Sequence, residues 1–248
     1  MSTLLLALTA GAVIGLALGA LGGGGSVLAV PALIYLLGFT PAAATTASLF
    51  IVAATSATAL YTHAACGNVL WKTGALFAAA GIPPAIAAAT LSTRAPEAVL
   101  TAAFAVIAAL AALAMFKTPP AEQQPRPVRP ARAAGAGAGL GTVTGFLGVG
   151  GGFLAVPALV SVLGLRMRAA VGTSLLVITV NSLAALTARA GTHTPLDWAV
   201  ITPFTGAAIL GAWDGKRLAA KTSGHTLQRI FAAVLLAVAA LMLTDALH

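Results

Sequence analysis

Apolar residues occupy this chain in long, nearly uninterrupted blocks. Leu4–Leu21, Ala42–Ala64, Thr73–Leu91, Ala98–Phe116, Ala133–Leu147, Ala169–Ala188, Ala199–Ala212 and Leu227–Leu243 cover most of it and are almost free of charge. Blocks of about 14–23 residues predict helices, and the longer ones suit a hydrocarbon core of roughly 30 Å. Composition sharpens this. Of 248 residues, 59% are hydrophobic and 7% charged, and mean hydropathy is +1.00. A soluble domain carries roughly 25% charged residues. The fold class expected is all-α, a polytopic helical membrane protein. The first 25 residues imitate a signal peptide, but they lack a basic start and run into a repeat, so they read as a retained first segment.

That repeat is the second feature. Gly19-Ala-Leu-Gly-Gly-Gly-Gly-Ser-Val-Leu-Ala-Val-Pro31 returns as Gly145-Phe-Leu-Gly-Val-Gly-Gly-Gly-Phe-Leu-Ala-Val-Pro157. At this constant offset of 126, residues 19–64 and 145–190 share 21 identities in 46 positions, the mark of a duplication. A polar, Pro-rich stretch lies between the copies. The expected organisation is a first transmembrane repeat (1–116), a cytoplasmic linker (117–132) and a second transmembrane repeat (133–248).

Charge decides how the repeats are oriented. If each glycine-broken stretch crosses once, Lys and Arg divide evenly between the two sides. If each is two elements, Lys72, Lys117, Arg126, Arg129, Arg132, Arg166, Arg168, Lys216, Arg217, Lys221 and Arg229 fall on one side, and only Arg94 and Arg189 on the other. Eleven against two is a positive-inside signal. It favours five elements per half, hence inverted repeats, with both termini outside and the linker in the cytoplasm. The second arm of each break, Ser26–Leu37 or Gly152–Leu163, is about 12 residues, roughly 18 Å as helix. Such an arm crosses tilted or re-enters, and both readings stay open.

The glycine clusters are the candidate chemistry. Each Gly costs about 1 kcal/mol relative to Ala inside a helix, and unwound backbone at membrane depth survives only where protein or a water-filled cavity satisfies it. Such a break can converge backbone N–H groups on a ligand, and the helix that follows offers its positive dipole end to an anion. Pro31 and Pro157 each leave a carbonyl without its helical donor. The residues expected to bind substrate are Gly22, Gly23, Gly24, Gly25 and Ser26 in the first copy. In the second copy they are Gly148, Gly150, Gly151 and Gly152. Ser48 and Ser174 join them as an identical pair under the offset. Asn181, matched to Thr55, is the most polar mid-span residue. Close helix packing is the competing use of the glycines.

Other signals exclude functions. The net charge of +8 lacks the aromatic-interleaved patch of a nucleic-acid binder. Cys66, the single cysteine, forms no intramolecular disulfide or multi-cysteine metal site. His63 and Cys66 fall at a span end and read as interfacial. Trp71, Trp198 and Trp213 suit interfacial anchoring. Asp214, beside Lys216 and Arg217, is a weak candidate for proton coupling. No catalytic constellation and no cofactor motif is present, so an enzyme is not expected; oligomeric state is open.

Leu21–Leu33, Leu147–Leu159 and the later run Gly206-Ala-Ala-Ile-Leu-Gly-Ala-Trp-Asp-Gly-Lys-Arg-Leu218 resemble the duplicated signature and late segment of the sulfite exporter TauE/SafE family, from which Asp214 departs. The resemblance implies transport of a small sulfur-containing anion (sulfite, a sulfonate or thiosulfate) across the bacterial inner membrane. Alternating access of the two halves is the expected mechanism. A passive anion channel and a non-transporting membrane scaffold are the alternatives.

Overall fold

The computed structural model describes residues 2–92, 97–117, 129–147, 152–189 and 196–246. Its helices are α1 (Ser2–Leu21), α2 (Gly24–Pro31), α3 (Pro41–Ala64), α4 (Trp71–Ser92), α5 (Glu97–Lys117), α6 (Pro130–Leu147), α7 (Gly152–Pro157), α8 (Met167–Arg189), α9 (Trp198–Lys221) and α10 (Gly224–Ala246). Among the described residues there is no strand. By length and composition, four stretches are apolar enough to cross a bilayer: Thr3–Leu21, Ala43–Ala64, Met167–Thr187 and Gly224–Leu241. Large apolar side chains such as Leu5, Val13, Leu110, Leu210 and Leu241 point outward, as lipid-facing residues do.

Each apolar block is a helix, but block ends and helix ends differ. α9 runs to Lys221, well past Ala212. Charge marks where a helix leaves the apolar layer, whereas its hydrogen-bond ladder continues until capping ends it. Arg168 supplies part of that cap, donating to the carbonyls of Ala220 (3.1 Å) and Thr222 (3.4 Å). α6 likewise starts at Pro130, inside the expected linker, because proline is suited to a first helical position. Residues 118–128 of that linker lie outside the described residues.

Backbone-to-backbone contact through glycine holds the bundle together. A side-chain carbon on Gly11, Gly15 or Gly19 of α1 would come within 2.4, 1.9 and 2.1 Å of the carbonyl oxygens of Phe204, Ala208 and Ala212 on α9. The same stripe returns in the second half. Gly137, Gly141 and Gly145 of α6 press on the carbonyls of Phe77, Gly81 and Ala85 of α4 at 2.2, 2.0 and 2.1 Å by the same measure. Lipid gives no hydrophobic reward for helix association, so this intimacy and its dispersion contacts supply the attraction. Both stripes were legible as glycine at every fourth position, duplicated at the 126 offset.

These registers also fix directions. In both pairs the contacting residues rise together in number, so α1 runs parallel to α9 and α4 to α6. The end of α3 lies against the end of α1, where His63 Nε2 is 3.3 Å from the Gly19 carbonyl. Its beginning shares a core with the beginnings of α1 and α9 through Ala44, Ala47, Ala7 and Ile201. Thus α1, α3 and α9 point one way. Since α1 and α3 are parallel, the segment between them must return the chain. α2 does this, and a cleft bounded by Leu6, Thr9 and Val13 of α1 also contacts Pro31, Tyr35 and Leu36 of the returning arm. The N–H of Leu70 at the entry to α4 donates to Thr173 near the start of α8 at 3.1 Å. α4, α6 and α8 therefore point the other way. Packing follows an exchange rule: α1 meets α9 as α6 meets α4, α2 meets α3 as α7 meets α8, and α3–α8, α2–α7 and α5–α10 pair with their own counterparts.

Candidate functional site: a helix break and the serine that faces it

α1 ends at Leu21 because Gly22 takes φ +76°, a conformation that costs other L-residues roughly 1–2 kcal/mol. The Gly22 N–H still bonds back to the Leu18 carbonyl at 2.8 Å, so the reversal is tight. Gly23 has already returned to the right-handed region (φ −84°, ψ −18°) and precedes α2. The break is therefore Gly22–Gly23, shorter than the four-glycine run. Gly24 and Gly25 are helical and, with Ser26, make the first turn of α2, two residues earlier than the expected start. One left-handed residue suffices to turn the chain. N–H groups in a first turn have no acceptor within their own helix.

The prolines act later. Pro31 and Pro157 each stand where the α-helix widens into a π-helical turn, Ala32–Leu36 and Ala158–Val162. The wider turn accommodates a position that cannot donate. Each arm then ends on a repeat-matched glycine of positive φ, Gly38 and Gly164. Thr40 accepts from the Ala43 N–H at 3.4 Å to open α3, with Pro41 at the first helical position.

Gly22 lies against the opposite repeat. A carbon added at its Cα would sit 2.5 Å from Ser174 Oγ and 3.2 Å from Val156 of α7 and from the backbone of Val171. Ser174 is fully buried and donates to the Val171 carbonyl at 2.8 Å. The structure thus brings together two of the expected site residues, from different halves. Gly152 opens α7 as expected; Gly148, Gly150 and Gly151 lie outside the described residues.

Ser48 and Ser174 are not brought together. Antiparallel α3 and α8 are joined by hydroxyls 2.9 Å apart on Ser56 and Thr179. Either hydroxyl can be the donor, and each also reaches a carbonyl of its own helix, Ala53 for Ser56 (3.3 Å) and Leu175 for Thr179 (2.7 Å). Ser48 precedes Ser56 by eight residues and Ser174 precedes Thr179 by five. In antiparallel helices those offsets add, to about 20 Å along the seam. Ser48 is buried and donates to the Thr45 carbonyl at 2.8 Å. Asn181 falls near the middle, opposite the Thr55–Ser56 turn. Its Oδ1 is buried and has no hydrogen-bond partner among the described residues, a state that in proteins calls for a missing donor.

A model of the sulfite exporter TauE/SafE family matches residues 7–242, from the first helix into the last. The chain belongs to that family. It is also similar to a "Probable membrane transporter protein" of Xylella fastidiosa (strain 9a5c), 34% identical over 245 residues, covering 96% of this chain and 94% of the relative. A protein of the same description from strain Temecula1 is 33% identical over the same shares. This TauE/SafE chain is a membrane transporter.

Within it, the late segment Gly206–Leu218 serves packing. A carbon on Gly211 or Gly215 would meet the carbonyls of Ala12 and Leu16 at 2.3 and 2.2 Å. Asp214 is exposed and sits 3.4 Å from Arg217, one turn on. Cys66 is exposed, as a residue at a span end should be. His63 lies at the end of α3 but is buried rather than exposed, since parallel α1 and α3 bring their last turns together. Thr179 was missed by residue matching, because its repeat equivalent is Ala53; Lys216, matched to Thr90, was read only as a charge.

Proposed function

We propose that this protein is a secondary transporter that moves a small sulfur-containing anion (sulfite, a sulfonate or thiosulfate) across the bacterial inner membrane by alternating access. The observation that carries the reading is the contact between the reversed backbone at Gly22 and buried Ser174 of the other half. There a helix start without internal acceptors meets a hydroxyl and offers neutral donors to an oxyanion, with no buried Arg or Lys among the described residues. The opposed directions of α1, α3, α9 and of α4, α6, α8 support inverted repeats related by an axis in the membrane plane. The first break with its facing serine, Gly22–Ser26 with Ser174, is then one half of the path, and Gly148–Gly152 with Ser48 is its counterpart in sequence under the 126 offset. The α3–α8 seam with Asn181 joins them.

The basic residues gather at one end of this arrangement. Lys72 begins α4, Arg166 and Arg168 precede or begin α8, and Lys216, Arg217 and Lys221 end α9. That end is the cytoplasmic face by the positive-inside rule, which leaves both termini outside. The halves, residues 1–116 and 133–248, would rock about the seam.

Counterflow in proteoliposomes tests the reading, with sulfite, thiosulfate, taurine, sulfoacetate and sulfate offered and chloride as control. A carrier shows stimulation by its substrate on the far side, lost when Gly22→Ala protein still folds. A conductive leak without counterflow makes the protein a pore. No response from folded protein removes the sulfur-anion assignment.

A further inference from the structure

His63 is a titratable side chain that the proposed anion path does not use. The 126 offset matches it to Arg189, and it is the only titratable side chain among the described buried residues. It is 5% exposed. Nε2 lies 3.3 Å from the Gly19 carbonyl. A carbonyl only accepts, so Nε2 carries the hydrogen, and Nδ1 of the neutral ring is then an acceptor. Nδ1 is buried and meets no partner among the described residues. A buried acceptor left bare, one turn from the helix break, is a place for a proton. Ionisable residues in such positions commonly mark proton pathways.

The surroundings connect this nitrogen to the break. Gly19 is three residues before Gly22, so the ring holds the last turn of the helix that the break ends. α9 contributes one charge, Lys216, whose Nζ donates to the carbonyl of neighbouring Thr62 at 2.7 Å. α1 and α2 carry no titratable side chain. Tyr61, Cys66, Lys72 and Arg168 on the adjoining segments are all exposed. The Gly19 carbonyl, at the negative end of α1, favours an imidazolium. Lys216 repels one, so the added charge is best tolerated when an anion lies nearby.

We propose that His63 carries the proton that accompanies the anion, making the protein a proton–anion symporter. This rests on the carrier reading above. Nδ1 takes a proton from water when the break opens to one side and returns it to water on the other. Only the N–H bond forms and breaks. The proton offsets one charge of the anion, so a dianion such as thiosulfate still carries one net negative charge across, and the scarcity of carboxylates in the spans is no obstacle to coupling.

The test uses thiosulfate and sulfoacetate, whose ionisation does not change near neutral pH, in proteoliposomes with a pH dye inside. In wild type, with potassium and valinomycin holding the membrane potential at zero, anion entry acidifies the lumen, and one pH unit (acid outside) supports up to about tenfold accumulation. His63→Gln keeps a donor for Gly19 but cannot titrate, so it retains counterflow and loses both acidification and accumulation. Lys216→Gln removes the repelling charge and moves the alkaline limb of the accumulation profile to higher pH, which a merely structural role would not do. Counterflow without acidification in wild type, or full accumulation by His63→Gln, overturns the proposal and leaves the carrier standing. If His63→Gln does not fold, an unshifted profile in Lys216→Gln overturns it. Absence of counterflow with both anions removes the carrier reading and this proposal together.

Discussion

Gly22 and Ser174, 152 positions apart in the chain, are so close that any side-chain carbon on the glycine would come within 2.5 Å of the serine hydroxyl. Gly22→Ala therefore carries two penalties, the clash and the positive φ. The backbone part alone is worth roughly 1–2 kcal/mol. Counterflow should be lost or fall steeply. Gly22→Ala/Ser174→Gly, which removes the hydroxyl, should regain thermal stability over the single variant without regaining transport. Recovery of wild-type transport in the double variant would mean that neither group touches the anion.

The glycine stripes predict a sharp division among glycines that look alike in sequence. Gly15→Ala and Gly141→Ala drive a methyl into the carbonyls of Ala208 and Gly81 and should cost about 1–3 kcal/mol or more, as overpacked positions do. Gly206→Ala and Gly139→Ala meet nothing within 4 Å and should be neutral or gain up to about 1 kcal/mol from helix propensity. Melting temperatures in detergent, read by tryptophan fluorescence, check both. Equal destabilisation in the two groups would contradict the close parallel pairing of α1 with α9 and α4 with α6.

The Ser56–Thr179 bond bridges the halves at the middle of the seam. A double-mutant cycle of Ser56→Ala and Thr179→Val should give a coupling near 0.6 kcal/mol, typical of hydroxyl bonds between membrane helices. The larger effect should be on counterflow rate, because under the proposed alternating access the bond would join the parts that move. A coupling of zero would place the hydroxyls apart.

Asp214 should be dispensable. Its carboxylate is exposed and its pairing with Arg217 is a surface contact, a kind that contributes little. Asp214→Asn should leave accumulation and its pH profile as in wild type in the dye assay. Loss of coupling in this variant would move the proton site from α3 to α9.

The glycine run itself shows how far residues could be read. Four consecutive glycines marked the break correctly, but only Gly22 needed its freedom; Gly24 and Gly25 are helical, because one left-handed residue already reverses the chain. The proline-bearing arms were placed to within a few residues. Whether they cross or re-enter was not legible, since length alone cannot say what an arm packs against. The return of the first arm along α1 follows from the parallel contact of α1 with α3.

Membrane residence, the helical blocks and the duplication were set by the sequence alone. Apolar transfer, glycine strain and proline's missing donor are properties of a residue and its near neighbours, and they hold wherever the segment ends up. The tertiary structure decided everything that depends on which distant segments meet. It put Ser174 against Gly22 but kept Ser48 about 20 Å along the seam, buried His63 against Gly19, and turned Asp214 outward. The physical reason is that one register of glycine-to-carbonyl contact, repeated in both halves, fixes α1 against α9 and α4 against α6. That register is chosen by packing between segments far apart in the chain.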